Sequence, residues 1–186
     1  MCKIVYLTTK RFDRASKNFR NALAEELRSR KIEVVTDTAF DSLNFFRKHK
    51  TYGIALAFDF YRDGKQGCGL TLNKNCSYIG RDFAYTLSND YDRLTPMLRW
   101  RDFNFVSSDD KEWFKFFNKV SASTKAIFYL CTINNEYDYN NFNIAFDDTV
   151  KLFADEIVRC LRSNYNVENY RMRVQSAKLR VNKINQ

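Results

Sequence analysis

Residues 51–64 read TYGIALAFDFYRDG, and the apolar run at 54–58 within them constrains the fold more than any other stretch of the chain. A short uninterrupted apolar run bounded by turn residues predicts a strand buried on both faces, and such strands lie at the centre of sheets covered by helices. The run leads into Asp59, and Tyr61, Arg62 and Asp63 follow before Gly64. In open α/β sheets ligands gather beyond the carboxyl ends of the strands, so Asp59 marks where a site is to be sought.

The remaining elements follow from periodicity. AIFYLC at 126–131 predicts a second central strand, KIVYLT at 3–8 a first strand, and residues 32–35 a short one. Residues 68–72 read as an edge strand, and the alternation of FNFV at 103–106 predicts a further strand. Phe19, Ala22, Leu23 and Leu27 recur at helical spacing behind Ser16, a residue type suited to an N-cap. Phe40, Leu43 and Phe46 predict a second helix closed by the basic RKHK of 47–50, and Ile79, Phe83 and Leu87 a third. A short aromatic helix is expected at 113–117, an Asn- and Tyr-rich loop at 134–143, and a long helix at 144–161 with Ile144, Val150, Phe153, Ile157 and Leu161 facing the sheet. This order predicts a single α/β domain over residues 1–163, with a mostly parallel central sheet and helices on both faces. A basic amphipathic helix is expected at 164–186, where Tyr170, Val174, Ala177, Val181 and Ile184 form a seam that fits docking on a partner, which another copy could be, on a membrane surface or nucleic acid, or on its own domain.

Composition narrows the function classes. Apolar residues make up 45% of the 186 and aromatics 16%, too many for a disordered chain, while the net charge of +9 raises the prior for an anionic partner such as nucleic acid. No apolar run approaches the roughly 20 residues of a membrane span, and the N-terminus carries no secretory pattern, so a cytoplasmic protein is expected. Five cysteines without a CxxC pair fit reduced thiols, and Cys68 with Cys76 lacks the further ligands a zinc site needs. GKQGCG at 64–69 lacks the ending of a phosphate loop and reads as a turn between strands. No cofactor and no metal are expected. Asp59, Lys10, Asp63 and Cys131 are the candidates for chemistry, since a carboxylate beside a lysine at strand ends could do acid/base work. Arg99, Trp100 and Arg101, with Arg171, Arg173, Lys178 and Arg180 of the tail, are the candidates for binding, because aromatics interleaved with basic residues stack and neutralise nucleotides.

The order of elements resembles the zinc-dependent N-acetylmuramoyl-L-alanine amidases across residues 3–163. The likeness rests on ALAEELRSRKIEVVTDTAFDSL at 22–43, on residues 52–62, and on 104–138 with its TKAIFYLCTINNEYD. The resemblance implies a zinc held by two imidazoles and a carboxylate, with a glutamate as general base. The first histidine of that set falls near Lys10, the metal glutamate at Phe12 or Asp13, the second histidine on Asp59, and the catalytic glutamate at Leu130 or Cys131. The single histidine, His49, matches no position of the motif. The resemblance therefore implies an amidase fold without its zinc site: a catalytically inactive protein that binds or regulates a protein partner. A residue usage suggesting an AT-rich, phage-like genome would direct it at a host protein. The alternatives are a nucleic-acid-binding protein using its basic surface and tail, and a peptidoglycan amidase or other hydrolase with an atypical site.

Overall fold

A computed structural model describes residues 4–9, 13–37, 52–73, 76–95, 98, 100–106 and 114–162. In chain order the elements are β1 (Val5–Thr9), α1 (Arg14–Ser29), β2 (Val34–Asp37), β3 (Tyr52–Tyr61), β4 (Cys68–Asn73), α2 (Tyr78–Leu94), β5 (Trp100–Val106), α3 (Phe114–Lys119), β6 (Ala122–Thr132), α4 (Glu136–Ile144) and α5 (Phe146–Arg162). The strands form one six-stranded sheet in the order β2-β1-β3-β6-β4-β5. Every neighbouring pair is parallel except β4 with β6. The long apolar run is indeed central: β3 lies between β1 and β6, with Ile54 to Phe58 almost fully buried.

The two sheet faces are covered unequally. On one, Phe19, Leu23 and Leu27 of α1, Phe83 and Leu87 of α2, and Phe153 and Ile157 of α5 close over Val5, Leu7, Leu56, Phe58 and Phe128. Phe153 sits at the middle of this layer, with ring centroids 4.8 Å from Phe128, 5.3 Å from Phe19 and 5.6 Å from Phe58, all edge to face. On the other face Tyr6, Ala55, Ala57 and Ile127 pack with Phe116 and Phe117 of α3 and with Val120. Strands alternate their side chains between faces, so the two layers draw on alternate positions of β1, β3 and β6.

Several local expectations shift. Residues 68–72 do not form an edge strand: β4 runs between β6 and β5, and the edge belongs to β5, whose strand begins at Trp100. Asn135, not a loop, marks 134–143: its side chain accepts the Asp138 N–H at 3.1 Å and starts α4, because an asparagine at an N-cap satisfies an orphan amide donor. The chain breaks at Ala145 before α5, so Ile144 ends the preceding helix and is 85% exposed instead of facing the sheet. Asp13, three residues ahead of Ser16, is the N-cap of α1. The helix expected at 40–46, RKHK with His49, Trp113, and the tail at 164–186 lie outside the described residues. No helix among the described residues is long and apolar enough to cross a membrane.

Candidate functional site

The carboxyl ends of β1 and β3 are neighbours, yet the chain leaves them in opposite directions, from β1 through α1 to β2 and from β3 through a loop to β4. Such a switch in strand order leaves a crevice at the strand ends. Three charged groups meet there. Asp13 arrives from the corner between β1 and α1, Asp59 from the end of β3, and Arg62 from the turn that follows. Arg62 Nη2 lies 2.9 Å from Asp13 Oδ2, and its Nη1 stands 3.7 Å from Asp59 Oδ1. The carboxylates are almost fully enclosed, with side chains 5% and 1% exposed, whereas that of Arg62 is 50% exposed. The guanidinium therefore covers two buried carboxylates and turns its outer edge to solvent.

Local bonds hold each member in place. Asp13 Oδ1 accepts the Ser16 N–H at 3.2 Å, and the Ser16 hydroxyl donates to Oδ2. Burial pushes the Asp13 carboxyl up, but the Ser16 hydrogen bonds and Arg62 outweigh it and hold the group below the usual carboxylate value. Asp59 Oδ1 accepts the Phe60 N–H at 2.8 Å, and Arg62 Nη1 donates to the Phe60 carbonyl at 3.0 Å. The backbone carbonyl of Arg62 accepts from Asn134 Nδ2 at 2.6 Å, so the arginine is anchored at both ends of its length.

The loop beyond Arg62 is tied down in the same manner. Arg101 grips Asp63 through two parallel hydrogen bonds of 2.7 and 2.6 Å and donates to the Lys65 carbonyl. The Arg101 guanidinium beside it holds the Asp63 carboxyl at about 2. Arg101 also lies 4.0 Å over the Tyr61 ring, which stacks on Tyr129 at 4.5 Å and 8°. Gly64 N–H donates to Asn134, Lys65 N–H to Asp63 and Gly67 N–H to Asp138, at 3.1, 3.2 and 2.6 Å. Spent inside the protein, these three amides are not free to cradle a phosphate.

Of the candidates read from the sequence, those among the described residues stand apart from one another. Asp59 occupies the crevice, while Asp63 is an exposed carboxylate paired with Arg101. Cys131 is fully buried, and burial, aided by the Asp138 carboxylate, pushes its thiol far above the usual range. A thiol held neutral is a poor nucleophile. Iodoacetamide at mildly alkaline pH is accordingly expected to spare Cys131 in the folded protein and to modify it after denaturation, as peptide mass mapping would read. Trp100 packs edge to face against Tyr91 and Phe128, at 6.1 and 5.8 Å. Lys10, Arg99, Arg171, Arg173, Lys178 and Arg180 lie outside the described residues. What the residue pattern did not single out is Arg62 as the partner of both carboxylates, and Tyr129, which the register places directly opposite Asp59. Leu130 and Cys131 instead enter the core together, because the register slips between Asp59/Tyr129 and Tyr61/Thr132 and the extra residue turns both the same way. The signal available in sequence was the Asp-Phe-Tyr-Arg spacing at the strand end, which sets an arginine three residues beyond a buried carboxylate.

The zinc that the resemblance implies does not fit these residues. A zinc site calls for imidazole or thiolate donors converging with a carboxylate, whereas here a guanidinium lies between the two carboxylates. Among the described residues no three or more His, Cys, Asp or Glu side chains are placed to hold a metal ion.

No protein-family model and no curated protein sequence matches the chain. Solved structures do. An N-acetylmuramoyl-L-alanine amidase from Clostridium difficile superposes with a TM-score of 0.64 at 11% identity, over 88% of this chain and 99% of that one. The amidase AmiC2 of Nostoc punctiforme gives 0.65 at 10% identity, over 87% and 98%. The catalytic domain of the CD27L endolysin targeting Clostridia difficile gives 0.61 at 14%, over 88% and 99%. With most of this chain and nearly all of each of those chains superposed, the chain has the fold of N-acetylmuramoyl-L-alanine amidase catalytic domains.

Proposed function

We propose that this chain is a non-hydrolytic amidase-like protein that acts by binding a protein partner. The observation that carries the reading is the pairing of Arg62 with Asp13 and Asp59 at the strand ends, where the resemblance sets metal ligands. Hydrolysis of an amide on such a scaffold needs an activated water and a base within reach of it. A guanidinium donates hydrogen bonds and has no acceptor with which to activate a water, and Tyr129, the neighbour of Asp59 across the sheet, is engaged in a ring stack. Fold alone does not carry activity, and scaffolds of one architecture serve unrelated tasks.

The test is a wall-lysis assay. Purified protein added to peptidoglycan, with and without zinc, is expected to leave turbidity and released amino groups at the level of buffer. Zinc-dependent release of peptides from the wall would overturn the reading.

A further inference from the structure

We propose that the basic segment 164–186 folds back along the outer face of α5 and docks there as a helix, its apolar seam seated between Tyr78 at one end of α5 and Ile144 at the other.

Among the described residues the exposed large hydrophobic side chains are Tyr78, Tyr137 and Ile144. Two of them mark the ends of α5. Ile144 stands just ahead of its first residue, Phe146. Tyr78 lies at the far end: Asp82 of α2 pairs with Arg159 at 3.2 Å and Tyr91 meets Phe153 at 6.3 Å, so the two helices run antiparallel and the start of α2 comes to the end of α5. Tyr137, two helical turns before Ile144, lies on the same side of α4 as Ile144. Between the two ends Asp147, Asp148, Lys151 and Asp155 face solvent, flanked by half-buried Leu152 and Val158. Asp155 pairs with Arg30 and Asp148 with Lys151, while Asp147 has no cation beside it among the described residues. Exposed apolar side chains beside acidic groups suit a basic amphipathic helix.

Segment 164–186 carries the complementary pattern. Tyr170, Val174, Ala177, Val181 and Ile184 recur at alternating steps of four and three, among Arg171, Arg173, Lys178, Arg180 and Lys183, with no acidic residue from 170 to 184. Reach selects the same chain as the source of this helix. At about 1.5 Å per residue, α5 is about 25 Å long and a helix over 170–184 about 22 Å. The segment departs from the end of α5 at Arg162, and residues 163–169 suffice for a turn, so a returning helix brings Ile184 to Ile144 and Lys183 to Asp147. A tethered segment meets its site at an effective concentration on the order of millimolar, which a second copy at micromolar concentration does not match.

The experiment joins carboxylates to amines with a zero-length carbodiimide in the full chain, using an equal mixture of light chains and chains labelled with heavy nitrogen, and maps the joined peptides by mass. The wild type is expected to join Asp147 or Asp148 to Lys178 or Lys183 within single chains, without light–heavy pairs. Ile144→Arg, at an exposed position, and Val181→Ser, in the segment itself, are each expected to lower that yield several-fold while the cooperative thermal transition of the domain persists. Joins found only between light and heavy chains, no joins at all, or a yield that neither substitution changes would overturn the proposal.

Discussion

Phe153→Ala is expected to remove about 3–5 kcal/mol of stability, the range for deleting a fully enclosed aromatic ring from a packed core. Phe153 has no exposed surface, and its ring meets those of Phe19, Phe58, Tyr91 and Phe128. These neighbours come from α1, β3, α2 and β6, so the space left cannot close without moving elements that are fixed by the sheet. Domains of this kind have about 5–15 kcal/mol in total, so the variant would stand near the limit of folding. Urea unfolding followed by fluorescence would measure it. A loss below about 1 kcal/mol would mean that the ring is not the keystone of the layer.

Gly69→Ala is the second large effect, expected at about 1–3 kcal/mol as an overpacking cost. A Cβ at position 69 would come within 2.1 Å of Tyr61 Oη and 3.0 Å of its Cζ. Tyr61 leaves the end of β3, stacks on Tyr129 of β6 and reaches Gly69 of β4, so a single ring crosses three adjacent strands. It cannot swing aside without leaving the stack and the Arg101 guanidinium above it. The methyl group therefore displaces Tyr61 and loosens the Asp63–Arg101 clamp with it. Thermal unfolding of Gly69→Ala, Tyr61→Ala and the double variant forms the check: the double variant should lose less than the sum of the two. Strict additivity would show that the contact between the two residues is not what the glycine serves.

Much of the architecture was legible because it is written in short-range pattern. The run at 54–58 is the buried central strand, AIFYLC lies within β6, and the apolar spacing of Phe19, Leu23 and Leu27 is the buried stripe of α1. Alternation and helical period are set by residues a few positions apart, and burial of one face follows from them directly. Misreadings fell where one residue outweighs composition. Asn135 caps a helix in a stretch whose Asn and Tyr content suggests a loop, and Ala145 divides what the apolar spacing joins, leaving Ile144 in solvent.

The candidate site was legible only as a location. That Asp59 stands near the end of the central strand is a local inference, and β3 spans Tyr52–Tyr61. The environment of Asp59 is not local: Asp13 reaches the crevice through β1, Asn134 steadies Arg62 from beyond the end of β6, and both depend on which strands lie beside β3. Strand order likewise made β4 an interior strand, although its own residues are those of an edge as readily as of a centre. The sequence by itself determined the elements, their faces and the strand end where charge collects, since hydrophobic period and strand-end composition act over a few residues. Only the tertiary structure decided that a guanidinium faces two buried carboxylates there, because ion pairing between segments far apart in the chain is fixed by sheet order and register, which no single segment contains.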